Sequence, residues 1–128
     1  MKADLQLVIC ELNQADLTIL RRNTEALTNI VHDNAGTVFH IISNFIICTF
    51  DFGQESPELS ARSRFNAVEE ILLKIGTDVR LLHGAVPGTY ESMGSAERIS
   101  FGPVLWDVRE LLTRLSTIPW GRSGLIDP

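Results

Sequence analysis

Apolar and polar residues alternate in blocks along the chain, and the first blocks indicate a strand and a helix. The short, β-branched run Leu5–Glu11 predicts a buried strand. Asp16 is a favourable N-cap for the helix that follows, and Asn34–Gly36 is typical of its end. The predicted buried face of this helix consists of Leu17, Leu20, Leu27, Ile30 and Val31.

Two more apolar runs, Thr37–Ile42 and Phe45–Phe52, are separated only by Ser43–Asn44. Two strand-like runs joined by two polar, turn-forming residues predict a β-hairpin. Ser56–Pro57 then begins a second helix, with serine at the N-cap and proline in the first turn. The buried stripe predicted for this second helix is Ala61, Phe65, Val68, Leu72 and Ile75.

Glycine and proline interrupt the last third of the chain. Val79–Leu82 predicts a fourth strand, Gly84–Gly94 a loop, and Arg98–Phe101 a short fifth strand. The third helix is indicated by Leu105, Val108, Leu112 and Leu115. The order begins as the βαββαβ pattern of a ferredoxin-like sandwich, with an added strand and helix. We therefore expect an α+β fold whose helices cover one face of a mostly antiparallel sheet.

Composition and charge narrow the function classes. The 128 residues fit one domain, 1–128, and a net charge of −5 with scattered arginines argues against a polynucleotide partner. Cys10 and Cys48 lie in apolar runs, as reduced core thiols do. We expect a cytoplasmic domain without membrane contact, either free or as the cytosolic part of a larger protein. The apolar end at Leu125–Pro128 resembles the start of a strand, which favours excision from a longer chain.

Three short segments occur in a recognisable order. Gly36–Phe50 contains Gly-Thr, two apolar residues, His40 and, after two more residues, Ser43–Asn44 before an apolar strand. Gly94–Phe101 reads Gly-Ser-x-x-Arg-x-x-Phe, and Val8–Leu12 is an apolar strand with an acid near its end. Together they resemble the class III nucleotidyl cyclase homology domain over nearly the whole chain.

The resemblance implies a dimer with nucleotide sites at the subunit interface. In that family two aspartates hold two divalent metal ions, which activate the ribose 3′-hydroxyl and neutralise the triphosphate. A lysine and an aspartate read the base, while an asparagine and an arginine stabilise the ribose and the transition-state charge.

Carried over to this chain, the two metal positions differ from the family pattern. The first aspartate corresponds to Glu11, which keeps the charge, and the second to Asn44, a poor ligand for a hard cation. The glycine-phenylalanine turn near the phosphates corresponds to Gln14–Ala15, and the base-reading lysine to His40. Each residue also has a plain structural interpretation: a solvated carboxylate, a hairpin-turn amide and a surface histidine.

The final motif can be aligned in two ways. Without a gap, the positions of the aspartate, asparagine and arginine hold Trp106, Arg109 and Thr113. With one inserted residue they hold Asp107, Glu110 and Arg114. We favour the second alignment because it restores two family residues, although Arg114 can also be an ordinary solvated helix residue.

These substitutions favour a degenerate, catalytically inactive cyclase-like domain that acts in dimerisation or regulation. No cofactor is expected in that case. One alternative is an adenylate or guanylate cyclase subunit that uses Mg²⁺ or Mn²⁺, within a homodimer or a heterodimer with another cyclase-like domain. A second alternative is a module that binds ATP or GTP without turnover, and a third is an unrelated ferredoxin-like domain.

Overall fold

A six-stranded sheet and three α-helices make up residues 2–50, 56–93, 96–100 and 108–126, which the computed structural model describes. In chain order these elements are β1 Lys2–Leu12, α1 Leu17–Asp33, β2 Thr37–Ile42, β3 Phe45–Thr49, α2 Pro57–Ile75, β4 Val79–Met93, β5 Ala96–Ser100, α3 Val108–Ser116 and β6 Ser123–Leu125. The strands lie in the order β2-β3-β1-β4-β5 with antiparallel neighbours, and β6 pairs parallel to β4. The α+β class and the β2–β3 hairpin are confirmed.

Local signals fix the ends of the first two helices. The Asp16 carboxylate accepts hydrogen bonds from the backbone N–H groups of Thr18 (2.9 Å) and Ile19 (3.1 Å). Ser56 caps α2 by accepting from the N–H of Leu59 at 3.2 Å. Gly36, after α1, permits close packing, since an added Cβ would lie 2.5 Å from the Phe50 ring.

Helices cover both faces of the sheet, whereas the sequence pattern predicts helices on one face only. Alternate residues of β1 point to opposite faces, and from Leu7 to Cys10 both sets are apolar and buried. The face under α1 and α2 includes Val8, Cys10, Leu12, Leu27, Val31, Cys48, Phe50, Val68 and Ile71. The face under α3 includes Leu5, Leu7, Ile9, Leu82, Val86, Leu111 and Leu115. The third helix therefore packs against the second apolar face, which would otherwise be exposed.

The two cysteines are buried and free, on the α1/α2 face. Burial raises the pKa of the Cys48 thiol to about 12 and that of the Cys10 thiol well above its usual value. The expectation of reduced core thiols is confirmed for their burial and free state.

The prediction of a loop at Gly84–Gly94 is wrong for residues 84–93, because β4 continues through Met93. Gly84 instead allows a close approach: an added Cβ would lie 3.0 Å from the backbone oxygen of Ile126. Pro87 lies between the part of β4 that pairs with β6 and the part that pairs with β5. A missing N–H is tolerated at such a position, so neither residue breaks the strand.

Two predicted helix faces also need correction. Leu17, the first residue of α1, is exposed, and Phe65 of α2 is 50% exposed. The buried side of α2 is turned by one residue and consists of Ser60, Arg64, Ala67, Val68, Ile71 and Ile75. The reason is that Arg64 turns inward to meet a histidine on β4, as described below. Within the described residues, no helix has the length and apolarity needed to cross a membrane.

Candidate functional site

The two residues predicted as metal ligands, Glu11 and Asn44, lie at neighbouring strand ends. Glu11 of β1 is directly opposite Phe45, which follows Asn44 in the hairpin turn. Leu12 and Asn44 form two hydrogen bonds. The Leu12 N–H donates to the Asn44 backbone carbonyl at 2.9 Å, and the Leu12 carbonyl accepts from Asn44 Nδ2 at 2.7 Å. Asn44 is only 5% exposed, so its amide joins the hairpin turn to the end of β1.

Arg80 of β4 holds the Glu11 carboxylate from the other side. It lies directly opposite Glu11 in the β1–β4 pairing. Its Nε and a terminal guanidinium nitrogen both lie 2.8 Å from Glu11 Oε1, and both side chains are about 15% exposed. Two N–H groups of the guanidinium thus converge on one carboxylate oxygen in a charge-assisted contact. The carboxylate that the resemblance assigns to a metal is thus neutralised within the chain.

Further contacts fix the position of Arg80. Its second terminal nitrogen donates to the carbonyls of Ser116 (3.1 Å) and Ile118 (3.3 Å), which lie at and beyond the end of α3. The guanidinium carbon lies 4.4 Å from the centre of the Trp120 ring, within cation–π range. Arg80 therefore links β1, β4 and the segment after α3 through one charged group.

These residues do not fit a pair of divalent cations. Mg²⁺ prefers carboxylate oxygens, whereas Asn44 turns an amide N–H₂ toward Leu12 and Glu11 is bound by a guanidinium. Among the described residues, no group of three or more His, Cys, Asp or Glu side chains is placed to hold a metal ion. The arrangement supplies hydrogen bonds and one ion pair, which are structural contacts.

His40, predicted to read the base, is exposed on the edge strand β2. It pairs with Ile47 of β3, and its ring centroid lies 6.5 Å from that of Phe39. Because β3 lies between β2 and β1, the structure does not bring His40 together with Glu11.

The residues predicted from the last motif lie on or before α3. Glu110 is exposed in its first turn, and Arg109 belongs to the same turn. Arg114 is half-buried and donates to the carbonyl oxygen of Leu125 at 3.1 Å. It therefore points toward β6, on the side of β4 away from β1 and Asn44. Asp107 lies outside the described residues.

A second arginine, Arg64 of α2, makes a buried contact that the sequence interpretation missed. Its terminal nitrogen lies 2.8 Å from His83 Nδ1, and the residues are 6% and 4% exposed. The His83 ring also meets the Phe65 ring edge-on, with centroids 5.4 Å apart. Burial and the Arg64 charge lower the pKa of His83 to about 4, so the ring is neutral and Nδ1 accepts the hydrogen bond.

Arg80 was missed for a different reason. A lone arginine in the apolar run Val79–Leu82 attracts no attention until the pairing of β1 with β4 places it opposite Glu11. The available signal was the presence of one acid and one base, each inside an otherwise apolar strand. Such charges indicate a cross-strand pair once the register is known.

Comparison with solved structures identifies the architecture of the chain. No protein-family model matches the chain, and no curated protein matches it. Among solved structures, the adenylyl cyclase CyaB from P. aeruginosa matches at a TM-score of 0.68 and 8% identity, over 96% of this chain and 76% of that one.

Two further solved structures match to a similar degree. The guanylate cyclase domain of RhGC from Catenaria anguillulae, in complex with GTP, has a TM-score of 0.67 and 13% identity, over 98% of this chain and 79% of that one. The non-canonical dimeric guanylyl cyclase domain of RhoGC from Blastocladiella emersonii has a TM-score of 0.66 and 12% identity, over 98% of this chain and 80% of that one. The chain therefore has the fold of the class III adenylyl and guanylyl cyclase domains.

Proposed function

We propose that this chain is a cyclase-like domain without catalytic activity, which acts by associating with a second cyclase-like domain. The observation that carries the proposal is the double contact of Arg80 with the Glu11 carboxylate. An internal cation neutralises the charge that the resemblance would assign to a metal. The neighbouring Asn44 contributes an amide donor where a second carboxylate would be required.

The contacts of Arg80 oppose its displacement by a metal ion. To free Glu11, the guanidinium would have to give up a carboxylate, the carbonyls of Ser116 and Ile118, and the Trp120 ring. Hydrogen bonds to charged groups contribute about 1.5–3 kcal/mol each. A single carboxylate offers a divalent ion little in exchange, since Asn44 brings no charge.

The association half of the proposal rests on the edge strand β2. Phe39, Ile41 and Ile42 are 36%, 51% and 48% exposed there, on a strand at the edge of the sheet. Neighbouring apolar side chains on an exposed strand favour burial against a partner. Among the similar solved structures, the Blastocladiella emersonii domain occurs in both dimeric and monomeric forms.

An activity assay tests the catalytic half of the proposal. The purified domain is incubated with Mn²⁺ and either ATP or GTP, beside an active class III cyclase domain as positive control. We expect no cyclic nucleotide above the protein-free blank, because no cation pair forms at Glu11. Steady product formation that scales with protein concentration would overturn the proposal.

The same assay addresses the heterodimer alternative. The chain is mixed with a complete cyclase domain, and the activity of the mixture is compared with that of the complete domain alone. We expect that Arg114→Ala leaves the activity of the mixture unchanged, because Arg114 binds the carbonyl of Leu125 within its own chain. A loss of activity confined to Arg114→Ala, with Arg122→Ala as the exposed control, would show that this chain contributes to an active site.

Sedimentation velocity tests association. We expect the chain to form dimers that Ile41→Asp weakens, because the substitution places a charge on the exposed apolar strand. Leu73→Asp is the matched control, since Leu73 is an apolar residue that is 87% exposed and belongs to α2, not to β2. A monomer at all concentrations, or equal effects of the two variants, would contradict an interface at β2.

A further inference from the structure

A cavity of about 340 Å³ lies between α1 and the end of α2, on the face of the sheet opposite to Glu11 and Arg80. It is lined by Arg22, Asn23, Ala26, Lys74, Ile75 and Asp78. Its volume falls at the lower end of the range of small-molecule sites in proteins. None of these residues takes part in the site described above.

Asn23 is the unusual residue in this cavity. It lies on the apolar face of α1, between Leu20 and Leu27, and is only 7% exposed. Its Nδ2 has no hydrogen-bond partner among the described residues. Buried amides are nearly always paired, because an unpaired one loses its hydration without compensation. Asn23 lines the cavity and no described residue accepts from its N–H₂ group, so a ligand in the cavity that reached this group would supply the missing acceptor.

The charges around Asn23 select the kind of acceptor. Arg22 and Lys74 contribute exposed cations from the two helices, and Asp78 contributes the one carboxylate of the lining. The lining therefore has a net positive charge in a protein whose net charge is −5. Guanidinium and ammonium groups, together with an amide donor, are the groups that bind phosphate oxygens.

We propose that this cavity binds a small phosphate-bearing anion. The Asn23 amide donates to a phosphate oxygen, and Arg22 and Lys74 neutralise its charge from α1 and α2. Ile75, which is buried, and Ala26 form an apolar side of the cavity against the non-polar part of the ligand. This proposal is independent of the proposed loss of catalysis, because the two sites share no residue.

A titration with inorganic phosphate tests the site directly. Amide and side-chain N–H₂ signals of the labelled full chain are followed by NMR, with sodium chloride used to keep ionic strength constant. We expect saturable shifts at Asn23, and a Kd weakened at least about tenfold by Arg22→Gln or Lys74→Gln, since each substitution removes a charge-assisted hydrogen bond. Arg21→Gln is the matched control, because Arg21 is an exposed neighbour on α1 that does not line the cavity.

A substitution of Asn23 separates binding from folding. Asn23→Leu should abolish the phosphate-dependent shifts and also raise the melting temperature of the free chain, because an unpaired buried amide is removed. Asn23→Asp should abolish binding through charge repulsion. Non-saturable shifts, or equal weakening by Arg21→Gln and Arg22→Gln, would mean screening of surface charge only and would overturn the proposal.

Discussion

Two arginines lie on opposite faces of strand β4, Arg80 as one of its own residues and Arg64 from α2, and they differ in what balances their charge. Arg80 meets a carboxylate, two carbonyls and an indole ring, and it is partly exposed. Arg64 is more deeply buried and meets a neutral histidine and the Phe65 ring, whose centre lies 4.5 Å from the guanidinium carbon, while its Nε has no partner among the described residues. The first arrangement pairs the cation with a carboxylate, whereas the second offers it only neutral partners within the part of the chain that the structure describes. We therefore expect stability to depend on each in a different way.

The largest expected effect is the pH dependence from His83. Its folded pKa of about 4 lies below the ordinary value of 6.5, so only the unfolded chain binds the proton between these values. Stability should therefore be full above pH 6.5 and fall by about 3 kcal/mol as the pH drops to 4. Urea unfolding at a series of pH values measures this.

Two variants isolate the contribution of this histidine. His83→Gln is neutral at every pH and should remove most of the acid dependence between pH 6.5 and 4. His32→Gln is the control, because His32 is exposed on α1 and should leave the wild-type dependence unchanged. If the unfolding free energy of His83→Gln fell with pH as steeply as that of the wild type, other titrating groups would cause the acid sensitivity, and the contact between Arg64 and His83 would not.

The next effect is the loss of the balanced arginine. Arg80→Met leaves the Glu11 carboxylate without its cation and two carbonyls beyond α3 without their donor. We expect the free energy of unfolding to fall by about 2 kcal/mol, measured by urea denaturation at pH 7. Arg122→Met, at an exposed arginine, is the control and should change stability by less than about 0.5 kcal/mol. Equal effects in both variants would remove the distinction between Arg80 and a surface charge.

The smallest effect is expected from the uncompensated arginine. Arg64→Met replaces a buried cation by an apolar chain of similar length, and such replacements are often neutral or stabilising. We expect a change within about 1 kcal/mol. Because Arg64 helps to hold the pKa of His83 low, the pKa of this histidine should rise in the variant, as an NMR titration would show. A large loss of stability would mean that the guanidinium is as well compensated as that of Arg80.

The sequence pattern predicted the elements better than it predicted their faces. The hairpin around Ser43–Asn44 and the cap of α2 are fixed by local chemistry, which a sequence shows directly. The buried side of α2 was displaced because Arg64, which the apolar pattern left outside the predicted stripe, faces inward. Its reason for facing inward is His83, nineteen positions away, and only the tertiary structure shows it.

The sequence singled out Glu11 and Asn44 together but did not show their contacts. The resemblance assigned them to the two metal positions, and the β1–β3 pairing brings them to neighbouring strand ends. The partner of Glu11 could not be predicted, because Arg80 is distant in sequence and joins it only through the register of β1 with β4. The same holds for Gly84, whose role depends on the approach of Ile126 and not on a turn.

The two buried thiols can report chemically on the transient opening of the core of this domain. A thiolate is the species that reacts with alkylating agents, and both Cys10 and Cys48 are fully enclosed with raised pKa values. Labelling must therefore wait until the sheet separates from α1 and α2. The rate at which a maleimide modifies the two sulfurs would then follow the opening of the whole core, without any probe having to be introduced.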